Sequence, residues 1–408
     1  MTRLDPSPQL LLTMALTCAL CAGCNYFNQP LIYSIAKDLN ILPEQAGFTV
    51  VLSQVGYALG LCLFVPLGDL FEKRSYICSL MLCTGMSLMG LANSQQLDTL
   101  YGFTLLAAFC SISTQILIPF TASLFNPQKS AQVVGWLMSG VLIGILFART
   151  LSGLISTLWS WHAVYWISGC CIVFCAVLMW FQLPKSHGAI GLTVGKIYQS
   201  LWHFAQTEPR LMRRSGIGFL SFGLLSILFT SMSFILAEAP YHFNDFEIGL
   251  MGVIGVVGIW ASQWTGKKIA QSQEKFIAKW AVRSLVIAWL PLAWAQHSLA
   301  VYILGLVFAY FGVSALHVLN QNLVYRISVS ARSRINAIYM TCYFAGAALV
   351  SWLSLMLWQH YGWWACVLLG ASLAILLMSL SHYDAKQGDN LMDFYMQPNC
   401  TASEQSER

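Results

Sequence analysis

LAVYILGLVFAYFGVSALHVLNQNLVY (residues 299–325) contains no Asp, Glu, Lys or Arg. As a helix rising ~1.5 Å per residue, a stretch of this length crosses the ~30 Å hydrocarbon core of a bilayer with residues to spare. Comparable stretches lie on both sides of it, separated by short polar connections, over residues 9–37, 43–69, 75–93, 98–124, 131–157, 161–183, 214–238, 246–266, 277–296, 333–358 and 361–382. The expectation is an all-α polytopic membrane protein with about twelve transmembrane helices. Arg3 ahead of the first apolar run imitates a secretory signal. That run continues through Asn25 to Lys37 without a cleavage site, so it is read as the first span.

Composition agrees. Of 408 residues, 57% are hydrophobic and 9% charged, whereas a soluble chain carries roughly a quarter of its residues as charges. The cations also have a side. With the N-terminus cytoplasmic, the even-numbered connections hold Lys73, Arg74, Lys129, the group from Lys185 to Arg214, the group from Lys267 to Arg283, and Arg326, Arg332 and Arg334. The odd-numbered connections hold Lys37 alone and Arg149 lies inside a span, which leaves nineteen of the 21 Lys and Arg on one face. Both termini are therefore expected in the cytoplasm of a bacterial cell, with the protein multi-pass in the inner membrane. The +5 net charge reports topology, scattered over five short loops, and gives no reason to expect a nucleic-acid partner. Of the thirteen cysteines all except Cys400 fall in expected spans, at spacings that suit neither a zinc site nor a disulfide framework.

The connection at 184–213 divides the chain nearly in half. It contains Pro184, Gly188, Gly191 and an amphipathic stretch from Val194 to Ala205 suited to the cytoplasmic membrane surface. Met138 and Trp161-His162-Ala163 recur as Met340 and Trp363-Trp364-Ala365 at a constant offset of 202 residues. The shared offset reads as a duplication. The expected organisation is a six-helix bundle over 1–183, a linker over 184–213, a second six-helix bundle over 214–385 and a cytoplasmic tail over 386–408. Two such repeats around a central pathway suit a secondary transporter, with the solute held near the midplane.

Polar residues inside spans are costly and mark function or packing. Arg149 costs at least ~2.5 kcal/mol on insertion scales and lies too far from the span's end to snorkel with ease, so it must face protein, water or a counter-ion. Glu238 and Asp38 are its candidate partners; a structural ion pair and an anion-binding or coupling role are both open. In span one, Asn25, Asn28 and Gln29 need partners, and Pro30, which lacks an N–H and clashes with the Tyr26 carbonyl, should kink the helix. Either a cavity wall or interhelical hydrogen bonds would satisfy these amides. Span ten has a similar group in His317, Asn320, Gln321 and Asn322, and span four offers Thr114 and Gln115.

Taken together, Asn25-Tyr26-Phe27-Asn28-Gln29-Pro30, Gln54-Val55-Gly56-Tyr57-Ala58-Leu59-Gly60, Pro66-Leu67-Gly68-Asp69-Leu70-Phe71-Glu72-Lys73-Arg74 and Ala331-Arg332-Ser333-Arg334-Ile335-Asn336 resemble the major facilitator superfamily, and within it the prokaryotic drug-efflux-like, drug:proton antiporter-type branch. The resemblance covers roughly residues 15–385 and implies the major facilitator fold, alternating access, monomeric function in lipid, and a pathway lined by spans one, four, seven and ten. The spans so designated hold Asn25, Tyr26, Asn28, Gln29, Thr114, Gln115, His317, Asn320 and Gln321 as pathway residues, and the cost of its charge adds Arg149 of span five to them.

The loop after span two looks like the superfamily's cytoplasmic motif A. Asp69, Lys73 and Arg74 fall on its acidic and terminal basic positions, while Val65, Leu70 and Glu72 depart from it. The resemblance implies a conformational gate here; a capping Asp69 with Lys73 and Arg74 as topology anchors is the plainer alternative. Span five resembles the antiporters' motif C through Gly135, Gly144 and Gly153, but Ala148, Arg149 and Ser152 replace its Gly, Pro and Gly. With Gly249, Gly252, Gly255 and Gly258 in span eight, this implies close packing of span five on span eight.

Coupling candidates are Glu238 and His317, with Asp69 less central, since no Asp or Glu lies at a span midplane. Walker A, metal-ligand and triad patterns are absent from the sequence, so no cofactor or metal is expected and the chain is not read as an enzyme. The expected function is proton-coupled efflux of drug-like or metabolite compounds. A carrier dedicated to one organic anion, such as a siderophore or carboxylate, is the alternative within transport, and a non-transporting scaffold or sensor the alternative outside it.

Overall fold

The computed structural model of the protein describes residues 8–125, 127–186, 193–328 and 331–396, and its regular structure is helical. Gly188, Gly191 and Cys400 lie outside the described residues. The first half contains α1 (Pro8–Gly23), α2 (Ile32–Leu39), α3 (Pro43–Leu63), α4 (Lys73–Ala92), α5 (Leu97–Cys110), α6 (Ser113–Leu124), α7 (Pro127–Leu158) and α8 (Trp161–Gln182). A linker helix, α9 (Val194–Thr207), leads to α10 (Pro209–Ala237), α11 (Asp245–Leu250), α12 (Val256–Ile269), α13 (Glu274–Leu292), α14 (Leu299–Tyr325) and α15 (Arg332–Met396).

Among the described residues, ten helical stretches are long and apolar enough to cross a membrane. Two differences from the sequence expectation have local causes. Helix α13 carries Lys275, Lys279 and Arg283 and is not among the ten. The last 65 residues of regular structure run as one helical stretch that breaks at Gly362 (φ 69°, ψ −161°), two residues beyond the expected break. Only glycine takes that backbone conformation without strain.

Within the first half α1 packs on α7 and α8, α3 on α5, and α4 on α8; within the second, α10 packs on α15 and α13 on α14. Small residues permit the approach. A Cβ on Gly144 would lie 2.2 Å from the Ala19 carbonyl oxygen, so α7 and α1 touch backbone to backbone. The halves meet along α3 and α15 and along α7 and α11. Helix α10 sits at the centre, with every residue from Leu220 to Leu236 buried. Trp161 and Trp363, 202 residues apart, both open a helix or its second segment and are 3% and 2% exposed. Their indole N–H groups donate to Asp38 Oδ2 at 3.2 Å and to the Leu292 carbonyl at 2.8 Å. The linker helix touches both halves: Tyr198 donates its hydroxyl to the Leu63 carbonyl at 2.5 Å, and Arg334 reaches Ser200 Oγ and lies 5.8 Å from the Phe204 ring centre.

Candidate functional site

Helix α1 stops at Gly23, and the chain passes through a 3-10 turn, Cys24–Tyr26, and an irregular stretch before α2. The break begins earlier than the kink expected at Pro30, because Pro30 both lacks a donor and displaces the Tyr26 carbonyl four residues back. Leu31 N instead donates to the Asn28 carbonyl at 3.1 Å. The bend sends neighbouring side chains to opposite sides. Asn25 donates to Ser111 Oγ at 2.9 Å, and Asn28 to Ser53 Oγ at 3.1 Å and Thr49 Oγ1 at 3.3 Å. These two expected pathway residues are therefore interhelical ties inside the first bundle.

Tyr26 and Gln29 face the other way, onto Arg149 of α7. Arg149 is 1% exposed. Its Nε donates to Gln29 Oε1 and its Nη1 to the Tyr310 hydroxyl at 3.3 Å. Its guanidinium carbon lies 4.1 Å from the Phe229 ring centre and 4.9 Å from that of Tyr26. Its Nη2 is buried without a hydrogen-bond partner among the described residues. Neither expected counter-ion reaches it: the exposed Glu238 accepts from the Tyr33 hydroxyl at 2.7 Å, and Asp38 accepts from Trp161 and lies 3.5 Å from His162 Nε2. Two charge-assisted hydrogen bonds at about 1.5–3 kcal/mol each, with ring faces adding about 1–2 kcal/mol, offset the cost of inserting an Arg. They leave its charge uncompensated. Tyr26 and Gln29 belong to the first half and Phe229 and Tyr310 to the second, so the guanidinium sits where the halves meet.

From there aromatic rings continue along α10. Phe229 contacts Phe222 at 6.4 Å between ring centres, Phe222 stacks on Tyr343 at 4.1 Å, and Tyr343 lies 4.6 Å from the His317 ring. His317 Nδ1 is 3.2 Å from the Tyr339 hydroxyl. Nearby, Asn320 Oδ1 accepts from Arg214 Nη1 at 3.3 Å, and Arg213 and Arg214 hold the buried Asp384 at 2.8 and 2.5 Å. Gln321 reaches the Met340 sulfur at 3.9 Å. Gln115 donates to the Tyr57 hydroxyl at 3.3 Å, and Tyr57 meets Phe344 across the halves at 4.4 Å. Thr114 is buried with its hydroxyl unpaired.

The end of the molecule carrying α2 and α11 is shut. A Cβ on Gly153 would fall 2.2 Å from the Asp245 carbonyl oxygen, and one on Gly249 2.5 Å from the Arg149 carbonyl oxygen. Thr150 donates to the Gly249 carbonyl at 3.0 Å. Gly153 and Gly249 thus let α7 and α11 meet, and Gly144 serves α1 instead. Gly135, expected in the same stripe, faces open space and takes no part in this packing.

At the other end, the carboxylate that organises the loop after α3 is Glu72. It caps α4 by accepting from Arg74 N at 3.1 Å and Ser75 N at 2.8 Å, and it also accepts from Ser186 N at 3.1 Å. Burial opposes its ionisation, but the donors from Ser75, Ser186 and Arg74 outweigh that and hold its pKa below the ordinary 4.5. Asp69 closes the 3-10 turn Pro66–Asp69 without a side-chain partner among the described residues. Lys73 lies 5.5 Å from the Phe120 ring centre and Arg74 4.7 Å from that of Trp180. The capping role read for Asp69 therefore falls to Glu72.

The sequence model of the Major Facilitator Superfamily matches residues 14–325. The chain belongs to that superfamily. It is 35% identical over 370 residues to the Uncharacterized transporter YgaY of Escherichia coli, covering 91% of this chain and 94% of that protein. Its fold resembles that of a bacterial homolog of the human lysosomal transporter Spinster in an inward-facing, occupied conformation (TM-score 0.74, 12% identity, 94% and 98% of the two chains covered). It also resembles the human organic anion transporter MFSD10 (TETRAN) (TM-score 0.68, 16% identity, 92% and 100% covered). This facilitator is thus a multi-pass membrane transporter.

Several site residues of the facilitator escape sequence reading. Phe229 and Tyr310 look like any other aromatic in an apolar span. Asp384 and Asp245 carry a signal in hindsight, since a chain with only 16 acidic residues has few to spare at span ends. Asp245 is 7% exposed, and its Oδ2 accepts from Ser34 Oγ at 2.5 Å and Ser156 Oγ at 2.6 Å.

Proposed function

We propose that this facilitator is a secondary carrier of the bacterial cytoplasmic membrane that exports an organic anion with an apolar, aromatic-compatible body, by alternating access and at the expense of the proton gradient. One observation carries the reading: a buried guanidinium at the meeting of the halves, Nη2 unpaired and no carboxylate on it. A cationic drug would be repelled there; a carboxylate or an anionic siderophore would supply the missing oxygen. The aromatic run from Tyr26 to His317 suits the rest of such a solute. Export and proton drive draw support from the motif A resemblance and from the likeness to the drug-efflux-like branch, while the departures from motif C weigh against them.

The protein acts as a monomer in lipid, with twelve spans in two six-helix halves and both termini in the cytoplasm. Support comes from the one-sided distribution of cations and from the two helical segments that α15 forms about Gly362, with α13 taken as a span despite its charges. Solute binding is tested by thermal stabilisation of purified protein against a panel of organic anions, cations and neutral aromatics. Anions raise the melting temperature of wild type and fail to raise that of Arg149→Ala. Stabilisation by cations alone, or equal stabilisation of both proteins by anions, overturns the reading.

A further inference from the structure

Asp245 opens α11 in the second half, and both hydroxyls that hold its carboxyl come from the first: Ser34 on α2 and Ser156 on α7. It is buried where Gly153 and Gly249 bring α7 and α11 together. The charged groups at this end of the surrounding elements are engaged or exposed, apart from the half-buried Glu44 at the start of α3. Glu238 accepts from Tyr33, Glu247 closes a capping box with Asn244, Asp38 accepts from Trp161, and Arg149 is held by Gln29 and Tyr310. Lys37 and His242 are exposed. Asp245 is thus a carboxyl group enclosed across the contact between the halves with neutral donors alone, an arrangement that favours the uncharged acid over the carboxylate.

We propose that Asp245 is a proton-binding site that holds this end of the carrier shut, its carboxyl taking up one proton from the adjoining water as α7 and α11 close and returning it when they part. On closing, the new O–H donates to a serine Oγ, and that serine's own hydroxyl remains free to turn toward a backbone carbonyl. On opening, water reaches the carboxyl and the proton leaves as hydronium. The inference rests on the alternating-access reading of the fold. It adds the group through which acidity on this face would drive the carrier toward the closed state.

The consequence follows from linkage. A proton bound only in the closed state changes the closed-to-open ratio by up to about tenfold per pH unit across the range in which it binds. Spin labels at Lys37→Cys and His242→Cys report the gap, in full-length protein in lipid nanodiscs with the exposed Cys62, Cys83, Cys170 and Cys171 and Cys400 replaced by Ser. Over a pH series from acid to alkaline, wild type should move from one short distance to a mainly longer one. Asp245→Asn, which is neutral and nearly isosteric, should stay short throughout. Ser156→Ala removes a donor that favours the ionised form, and should lower the closed fraction further at the higher pH. Two exchanging distances that ignore pH, or a pH response that survives Asp245→Asn, overturn the proton site while leaving alternating access intact. One invariant distance in all conditions, with or without organic anion, overturns both.

Discussion

Arg149 is the residue on which the functional reading turns. Its partners are neutral, so each one carries a measurable share of the cost of burying the charge. Tyr310→Phe leaves a second guanidinium N–H unpaired and should destabilise the protein by about 1–3 kcal/mol, read from denaturation of purified protein; a saturating organic anion should narrow the difference, because its oxygens take up the free N–H. That an Arg in a span needs partners was legible in the sequence. Which ones was not, since Gln29 and Tyr310 lie 120 and 161 positions away along the chain and a neutral amide or phenol in a span carries no mark of its neighbour. The carboxylates Glu238 and Asp38 were the natural candidates by charge alone, but Tyr33 and Trp161 hold them elsewhere.

The elements show where pattern reading succeeds and where it stops. The break in span one followed from Pro30, and the approach of α7 to α11 from the glycines on each. Position by position, however, the glycines differ, and this is testable. Gly153→Ala places a methyl 2.2 Å from the Asp245 carbonyl oxygen and should prevent closure, lowering the transport rate by an order of magnitude or more, about 1.4 kcal/mol in barrier or equilibrium. Gly135→Ala meets open space and should leave the rate unchanged. In the loop after α3, a motif comparison pointed to Asp69, whereas the capping oxygens come from Glu72, which departs from the motif. Glu72→Gln should cost about 1 kcal/mol, the usual worth of an N-cap. Because the folded protein holds the Glu72 pKa below its ordinary value, that contribution is fully present above pH 4.5 and lost as pH falls through the depressed value. Melting temperatures of wild type and Glu72→Gln should therefore differ near neutrality and converge in acid.

At the scale of the whole molecule, the halves close on each other at the α2 and α11 end, with Arg149 between them and aromatic rings leading away along α10. The membrane class was evident from hydropathy and composition. The seam between the halves was not, because it is made of pairs such as Ser34 with Asp245 and Tyr57 with Phe344 that only the folded chain brings together. The central claim is that an anionic solute crosses by way of Arg149. Its most direct test is uptake of radiolabelled organic anions into proteoliposomes of purified protein under an imposed pH gradient, with Arg149→Ala and Arg149→Lys beside wild type. Saturable, gradient-driven movement of an anion, abolished in Arg149→Ala and partly retained in Arg149→Lys, is the predicted result; movement of several unrelated cations, unchanged in Arg149→Ala, would contradict it.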